Sequence, residues 1–230
     1  MARRYAVIGL GHFGSALATE LSSKGAEVLA IDSDLERLDE IKDQVAHSIR
    51  LDATEERALR GQGLEEMDGV IVAIGDNFEA TLLAVSQLQQ LEVRRIIVRA
   101  TTPVHERILT HLGIGEIIMP TLEAAERLST SLLFEGALKS FSLASDYTIL
   151  QATTPEVMIG KTLQELQIRE RFQVSLITIE REEQRRGRFG LGKRTQKTIL
   201  GVPVPATTIE RGDTLVLFGK EKDIQNLLRV

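Results

Sequence analysis

Three glycines near the start of the chain constrain its fold more than any other feature. They stand as Gly9-x-Gly11-x-x-Gly14 directly after the apolar run Tyr5-Ala6-Val7-Ile8, and apolar residues at helical spacing follow, the first of them Phe13. A buried strand that passes through a glycine turn into a helix is typical of a dinucleotide-binding βαβ unit. There the first glycine permits the turn, the second lets the backbone approach a pyrophosphate, and the third lets helix and strand pack closely. The free N–H groups and the positive dipole end at the helix start favour an anion.

The second predicted strand ends in an acidic residue, at the sequence spacing from the glycines that is typical of this fold. The run Val28-Leu29-Ala30-Ile31 is followed by Asp32, about 20 residues further on, where an acidic side chain accepts hydrogen bonds from a ribose. Glycine turns are common, so a βαβ unit that binds no nucleotide is the alternative interpretation. The agreement of strand, turn, helix and acid favours nucleotide binding.

Strand and helix patterns alternate along the first half of the chain. Six short apolar runs, the last at residues 116–119, alternate with helical segments over about 120 residues. This predicts an α/β fold with a Rossmann-like, doubly wound parallel sheet. Ligands on such a sheet bind at the carboxyl ends of the strands, near the point where the strand order reverses. The sequence places glycines, acids and one cation at those ends, namely Gly9 to Gly14, Asp32, Asp52 to Thr54, Ala73 to Asp76 and Arg99.

A long helix is predicted from Thr121 to about Phe141, and its apolar residues exceed one narrow stripe. A wide apolar face must be buried, either against the sheet or against a second subunit, and the pattern leaves both open. The regular alternation of strand and helix patterns stops after Asp146. We therefore predict a nucleotide-binding domain over residues 1–142, which includes this helix, and a small α+β domain over residues 143–230.

The segment from Arg185 to Lys197 is basic and rich in glycine. Such segments bind anionic lipid or nucleic acid in some proteins. This one has a single aromatic residue, Phe189, and no helical periodicity. We therefore predict a solvated hairpin loop rather than a functional patch.

Composition excludes several classes of protein. The chain has no cysteine, which excludes disulfides, thiolate nucleophiles and cysteine metal sites and favours a reducing cytoplasm. The net charge of −5 gives the chain as a whole no nucleic-acid footprint. No apolar run reaches the roughly 20 residues that a bilayer span needs, and because the first predicted strand begins so early we expect no signal peptide. A role at a membrane would therefore require a partner.

The sequence offers little for catalysis. The four histidines, His12, His47, His105 and His111, show no metal-ligand spacing, and no Gly-Lys-Ser/Thr follows the glycines, which excludes a P-loop hydrolase. A binding domain fits better than an enzyme. The alternatives are an NAD(P)-dependent oxidoreductase, which would need a proton donor facing the nicotinamide, and a redox-sensing DNA-binding regulator, which would need a helix-turn-helix.

The order of these motifs resembles that of the RCK (KTN) family. In the first domain the resemblance is carried by Gly9 to Gly14, Ala30-Ile31-Asp32, Asp52-Ala53-Thr54, Val72-Ala73-Ile74-Gly75, Arg99, His105 and Gly113. The second domain resembles the RCK C-terminal (TrkA-C) domain in Ile159-Gly160-Lys161-Thr162-Leu163, residues 173–179 and Gly212-Asp213-x-Leu215-Val216-Leu217-x-Gly219. Together they cover nearly the whole chain and resemble the KtrA/TrkA-type cytosolic regulatory subunits of bacterial potassium uptake systems.

The resemblance implies a site for ATP or ADP, or for NAD(H) as in some members. It implies Gly9, Gly11, His12, Phe13 and Gly14 around phosphate, Asp32 with the adjacent Ser33 at the ribose, Asp52, Ala53 and Thr54 beside the adenine, Ala73, Ile74 and Gly75 along the cleft, and Arg99 at the phosphates.

The resemblance also implies an assembly. Dimers would form through the crossover helix after Pro120 and build a homo-octameric ring on a KtrB/TrkH-like membrane potassium-translocating subunit. The chain would lie in the cytoplasm, peripheral to the inner face of the membrane, and nucleotide exchange would gate transport through a shift in the population of two ring states. No nucleic acid partner is implied.

Two family features are matched only in part. Many members carry an acid directly after the proline that closes the sixth strand, where it supports a divalent or monovalent cation near the phosphates. Here that position is Thr121, and Glu123 is the nearby candidate metal ligand. Some members bind cyclic di-AMP in the second domain, and Ile168 and Arg169 match part of that pattern.

Overall fold

The computed structural model describes residues 2–133, 137–143, 146–186 and 193–230. The chain divides into two compact units, Met1–Thr121 and Leu122–Val230. Each unit has its own sheet and its own core, and each is described by itself.

The first unit alternates strands and helices, as predicted. Its elements are β1 (Arg4–Ile8), α1 (His12–Ser23), β2 (Glu27–Asp32), α2 (Leu35–Ile41), a 3₁₀ turn (Lys42–Gln44), β3 (His47–Arg50), α3 (Glu56–Leu59), a 3₁₀ turn (Leu64–Glu66), β4 (Gly69–Val72), α4 (Phe78–Gln90), β5 (Ile96–Arg99), α5 (Pro103–His111) and β6 (Glu116–Ile118).

The six strands pair in parallel in the order β3-β2-β1-β4-β5-β6. This confirms the predicted doubly wound sheet. The chain leaves β1 toward β2 on one side and returns to β4 on the other, so the order reverses between β1 and β4. In such sheets this reversal opens a crevice at the carboxyl ends of the strands, where ligands bind.

Alternate residues of each strand feed two separate cores, because successive side chains point to opposite faces of a sheet. On one face Val7 packs with Ala18 of α1 and Leu38 of α2. On the other face Ile8 packs with Leu88 of α4. Both faces are covered, which is why β1 and β4 are apolar throughout their buried residues.

Side-chain caps position the helices that start at the carboxyl edge. The side chain of Asn77 accepts a hydrogen bond from the Ala80 N–H at 3.0 Å, and that of Thr102 accepts one from the His105 N–H at 3.2 Å. Pro103 occupies the first turn of α5, where its missing N–H costs nothing. These caps begin both helices within a few residues of the strands that precede them.

The second unit is built on an antiparallel sheet. Its elements, with the helix that enters it, are α6 (Pro120–Leu133), β7 (Ala137–Ser142), β8 (Tyr147–Thr153), a 3₁₀ turn (Glu156–Met158), α7 (Leu163–Leu166), α8 (Ile168–Phe172), β9 (Ser175–Arg186), β10 (Lys193–Ile199), β11 (Thr214–Lys220) and α9 (Glu221–Leu228). The strand order is β10-β9-β11-β8-β7. Leu215 and Leu217 of β11 are fully buried against Ile224 and Leu227 of α9.

The predicted helix from Thr121 to Phe141 is wrong in its second half. The structure has α6 only to Leu133, and β7 pairs antiparallel with β8. Pairing supplies β8 with backbone hydrogen bonds along its outer edge, and such tertiary pairing overrides local helix propensity. Gly136, in the undescribed residues 134–136, is a helix-stop signal in the sequence. The two compact units of the structure meet after Thr121, whereas the sequence places the domain boundary at 142/143. That boundary stays a prediction.

The basic segment is more extended than predicted. β9 and β10 pair antiparallel from Glu180↔Ile199 to Arg186↔Lys193, so both ends of the segment are strand rather than loop. The tip of the predicted loop, residues 187–192, lies outside the described residues. None of the described helices is long and apolar enough to cross a membrane.

Candidate nucleotide site at the carboxyl edge of the parallel sheet

The glycine turn lies at the reversal of strand order and is tied to the strands on both sides. The Gly9 N–H donates to the carbonyl of Ile31 at 2.8 Å, and the Ala73 N–H donates to the carbonyl of Ile8 at 2.7 Å. Gly9 has a φ of +92°, which disfavours any residue with a side chain. A Cβ at Gly14 would lie 1.8 Å from the Gly9 carbonyl oxygen, so the close packing of α1 on the turn requires glycine.

The second glycine of the motif, Gly11, faces open space. No atom lies within 4 Å of the position that a Cβ on Gly11 would take. The first helical hydrogen bond of α1 runs from the Ser15 N–H to the Gly11 carbonyl at 2.9 Å, so the N–H groups of residues 12–14 have no partner within the helix. Free donors beside open space at a helix N-terminus can bind a phosphate.

Asp32 is 7% exposed and anchors the turn from β2. Its Oδ2 accepts the Leu10 N–H at 2.6 Å, and its Oδ1 accepts the Asp34 N–H at 2.9 Å. The Arg37 guanidinium lies 3.6 Å from Oδ2. Each carboxylate oxygen can accept more than one hydrogen bond, so Asp32 can hold the turn and still accept from a ribose hydroxyl.

Arg99, at the end of β5, brings a cation to the same edge. Its guanidinium carbon lies 5.6 Å from the centre of the Phe13 ring, in the first turn of α1. A Cβ on Gly75 would lie 2.7 Å from its Nη1. The Nε of Arg99 is buried, and among the described residues it has no hydrogen-bond acceptor. A buried N–H of a guanidinium without an acceptor is costly, so this donor is suited to an anion.

The other predicted site residues follow neighbouring strands. Asp52 is exposed, and the N–H and hydroxyl of Thr54 donate to its Oδ1 at 2.9 Å and 2.7 Å. These two bonds hold the pKa of Asp52 below its usual value. Ser33 is exposed, and its carbonyl accepts from the Arg50 Nε at 2.9 Å.

Three predicted residues contribute backbone or packing more than exposed side chains. Ala53 is 7% exposed and Ala73 is 1% exposed, and both pack in the cores of the sheet. Ile74 is partly buried, and its backbone N–H lies 2.9 Å from the ideal Cβ position of Gly9.

His12, the first residue of α1, is exposed.

Residues predicted for a cation and for cyclic di-AMP lie in the second unit. Among the described residues no group of three His, Cys, Asp or Glu is placed to hold a metal ion, and Glu123 lies in the first turn of α6. Ile168 is 6% exposed and packs in the second core, whereas Arg169 is exposed. Both assignments stay predictions.

Two features of this edge were missed from the sequence. Arg37 lies one helical turn beyond Asp34 and within 3.6 Å of both Asp34 and Asp32, and its i,i+3 spacing was the available signal. The rings of Phe78 and His105 stack with centres 3.7 Å apart and planes 5° apart. They begin two different helices, so no local pattern pairs them.

Family comparison agrees with this architecture over most of the chain. Residues 5–120 match the model of the TrkA-N domain, and residues 148–230 match that of the TrkA-C domain. The chain belongs to the RCK family of TrkA and Ktr proteins. The resemblance drawn from the motifs is thereby confirmed.

Curated relatives of this RCK protein match it nearly end to end. The Ktr system potassium uptake protein C of Bacillus subtilis is 30% identical over 97% of this chain and 95% of its own length. The Ktr system potassium uptake protein A is 30% identical in B. subtilis, over 97% and 94%, and 29% identical in Vibrio alginolyticus, over 99% and 97%.

Solved structures show the same fold. The crystal structure of the GsuK RCK domain covers the whole chain with a TM-score of 0.65 at 16% identity, and the GsuK channel bound to NAD covers 97% with a TM-score of 0.61 at 18% identity. This chain spans 47% and 38% of those two chains. At such identities the likeness is one of fold.

Proposed function

We propose that this chain is a nucleotide-sensing regulatory subunit that gates a membrane potassium transporter. Its curated relatives are potassium uptake proteins of Ktr systems that match almost the whole chain. The first unit would bind the nucleotide at the glycine turn, and the assembled protein would transmit the bound state to a membrane subunit.

One observation carries the nucleotide site. The buried Nε of Arg99 has no acceptor among the described residues, and its guanidinium packs on Phe13, in the first turn of α1. The unbonded N–H groups of that turn and the open space at Gly11 belong to the same edge. A cation, free amides and a helix dipole that converge on open space support a phosphate-bearing ligand.

The ligand class is an adenine nucleotide, ATP or ADP, with NAD(H) as the alternative. Asp32, at the end of β2, would accept a hydrogen bond from the ribose, and residues 52–54 would lie beside the base. NAD is the ligand of one GsuK structure. The cation at Glu123 and the cyclic di-AMP contact at Arg169 are further proposals that depend on the assembled protein.

Exposed apolar surfaces support an assembly of several copies. α6 exposes Leu128, Leu132 and Leu133 at 59%, 77% and 76%. A second exposed stripe at i, i+4 and i+8 is formed by Val104 and Ile108 of α5 and by Leu112, the residue after its end. Apolar surfaces of this kind mark interaction sites. One self-complementary surface makes a dimer, and two different surfaces can close dimers into a ring, for which we propose the octamer.

The proposed partner is a KtrB/TrkH-like potassium-translocating membrane subunit, and the proposed location is the cytoplasmic face of the membrane. We propose no catalytic activity for the chain itself. An NAD(P)-dependent oxidoreductase or a redox-sensing regulator is not favoured, because the relatives matched over the whole chain are potassium uptake proteins.

The test is calorimetric titration of the purified chain with ATP, ADP, NADH and NAD⁺, with the mass in solution measured alongside. Saturable binding by an octamer, followed by nucleotide-dependent potassium flux in liposomes that contain a Ktr membrane subunit, is the expected result. Absence of binding for all four nucleotides would overturn the proposal, and NADH turnover with a small substrate would favour the oxidoreductase.

A further inference from the structure

The hairpin of β9 and β10 extends beyond the rest of its sheet. β9 pairs with β11 only over residues 175–180, and its remaining residues, 181–186, pair with β10 alone. At about 3.3 Å per residue, this two-stranded part reaches roughly 20 Å past the first residue of β11. We call residues 181–186 and 193–198 the hairpin ribbon. Residues 187–192 are not part of it.

Charges at the base of the ribbon have partners of opposite sign. The Arg181 guanidinium donates to the two carboxylate oxygens of the buried Asp213 at 2.7 Å and 2.8 Å. The Nζ of Lys197 lies 2.6 Å from Oε1 of Glu180, and the register places Lys197 opposite Glu182. These ion pairs fix the ribbon to the sheet and engage the cations nearest to it.

The outer end of the ribbon has the opposite arrangement. Its register places Arg185 opposite Arg194 and Arg186 opposite Lys193. Like charges directly opposite each other destabilise a pair of strands, and a two-stranded hairpin by itself is only marginally stable in water. The sequence has no acid from residue 184 to residue 209. The backbone register therefore brings four cations together, and an anionic partner would relieve their repulsion.

The cations of the outer end lie far from the acids of the sheet. Arg185 is five residues beyond Glu180, which is about 16 Å in an extended strand. Charges in water are screened over about 8 Å at physiological ionic strength. The net charge of −5 that the whole chain carries therefore has little effect at the outer end, where the local charge is positive.

A membrane that contains anionic lipid fits this end of the ribbon. A broad surface of phosphate groups can face both strands at once, and basic segments bind such surfaces through charge alone. Nucleic acid is the rival partner. The negative net charge of the chain is unlike that of a nucleic-acid-binding domain, and the ribbon has no aromatic residue that could stack on a base. The proposed location beside a negatively charged leaflet also favours lipid.

We infer that the outer end of the hairpin ribbon is a docking surface for anionic lipid, which holds the protein against the membrane in addition to its transporter subunit. The inference goes beyond the proposed function and rests on it only for the location at the membrane. The sequence alone favoured a solvated loop, whereas the pairing of β9 with β10 gives the cations a fixed arrangement. Each Lys or Arg near an anionic surface contributes about 5-fold in affinity, so the four together contribute roughly 100- to 600-fold.

The test is sedimentation of the full chain with vesicles of phosphatidylcholine, with or without phosphatidylglycerol, over a range of salt concentrations. Wild type is compared with Arg185→Glu/Arg186→Glu, which gives each cation of β10 an acidic neighbour across the ribbon. Because opposite charges stabilise such pairs, a loss of binding in this variant cannot come from unfolding of the hairpin. Lys222→Glu/Arg229→Glu makes the same change of charge at two exposed residues, in α9 and directly after it, and is the control.

We expect wild type and the control to sediment with phosphatidylglycerol vesicles, to be released by salt and to stay in solution with phosphatidylcholine alone. Arg185→Glu/Arg186→Glu should lose at least about 25-fold in affinity and should melt no earlier than wild type. Equal binding by wild type and this variant overturns the docking surface, as does equal binding of wild type to both kinds of vesicle. Tighter binding of wild type to a DNA duplex than to the vesicles, per phosphate, overturns the choice of lipid.

Titration of the same preparation with ADP separates this inference from the proposed function. ADP binding without vesicle binding overturns the docking surface and leaves the nucleotide site in place. Vesicle binding without ADP binding supports the docking surface and counts against the nucleotide site.

Discussion

The carboxylate of Asp32 accepts the backbone N–H of Leu10 at 2.6 Å, which ties the end of β2 to the middle of the glycine turn. The acid predicted for a ribose is thus also a structural anchor of the glycine turn. A substitution of Asp32 is therefore expected to change both the stability of the protein and its nucleotide affinity, and the two effects must be measured separately.

Asp32→Ala should lower the free energy of unfolding by about 2–3 kcal/mol, because two N–H groups lose their acceptor at a buried site. In the folded fraction nucleotide affinity should fall by about 1–3 kcal/mol. Urea denaturation and calorimetry measure the two effects, and Asp39→Ala, at an exposed position of α2, is the control. Unchanged affinity in a folded Asp32→Ala protein would contradict the ribose assignment.

Arg99→Gln should weaken ADP binding by about 1.5–3 kcal/mol, the value of a hydrogen bond to a charged group. The affinity for adenosine, which lacks phosphate, should fall much less in this variant. Arg94→Gln is the matched control, because Arg94 is exposed and precedes the same strand. An equal loss for adenosine and ADP would show that Arg99 supports the fold of the site rather than the phosphates.

Gly11→Val tests the open space in front of the turn. The side chain meets no protein atom within 4 Å at its Cβ, so the protein should fold with nearly unchanged stability. The added methyl groups would occupy the region where we place the phosphates, so nucleotide binding should be lost. Calorimetry beside a thermal melt measures both, and normal nucleotide binding by Gly11→Val would refute the placement of the phosphates at this turn.

Leu132→Glu should reduce the mass of the protein in solution, because a charge on the exposed apolar face of α6 opposes burial of that face in a partner. Light scattering after size-exclusion chromatography measures the mass. Leu35→Glu, at a leucine of α2 that is 53% exposed, should leave it unchanged. Retention of the full mass by Leu132→Glu would remove α6 from the proposed interface.

Asp52 should titrate below the usual range of an aspartate, because the N–H and the hydroxyl of Thr54 both favour its charged form. A carboxyl with a lowered pKa contributes stability above its unfolded pKa and loses it as the pH falls through its folded pKa. Thr54→Val should raise the pKa of Asp52 only part of the way back to its usual value, because the backbone N–H of residue 54 still donates to the carboxylate. Carboxyl-carbon NMR through an acid titration measures this, and an unchanged midpoint in Thr54→Val would contradict the role of the hydroxyl.

Local patterns were enough to predict the parallel unit. The apolar runs of β1 and β4 and the glycine turn depend on neighbours in sequence. The same reasoning failed after Leu133, because β7 forms by pairing with β8. The edge of β8 that it pairs with belongs to a later part of the sequence, so no local pattern in residues 137–142 indicates the pairing. It also missed the Phe78–His105 stack, which joins the starts of two helices.

The sequence by itself determined the order of strands and helices in the first unit, the glycine turn and the acid at the end of β2, because backbone conformation and side-chain periodicity are local properties. Only the tertiary structure decided that the Arg99 guanidinium packs on Phe13 with a buried donor left over, that Asp32 holds the Leu10 N–H, and that residues 137–142 form a strand. Each of these is a contact between distant parts of the chain, and such contacts depend on how whole elements pack rather than on the propensity of any segment.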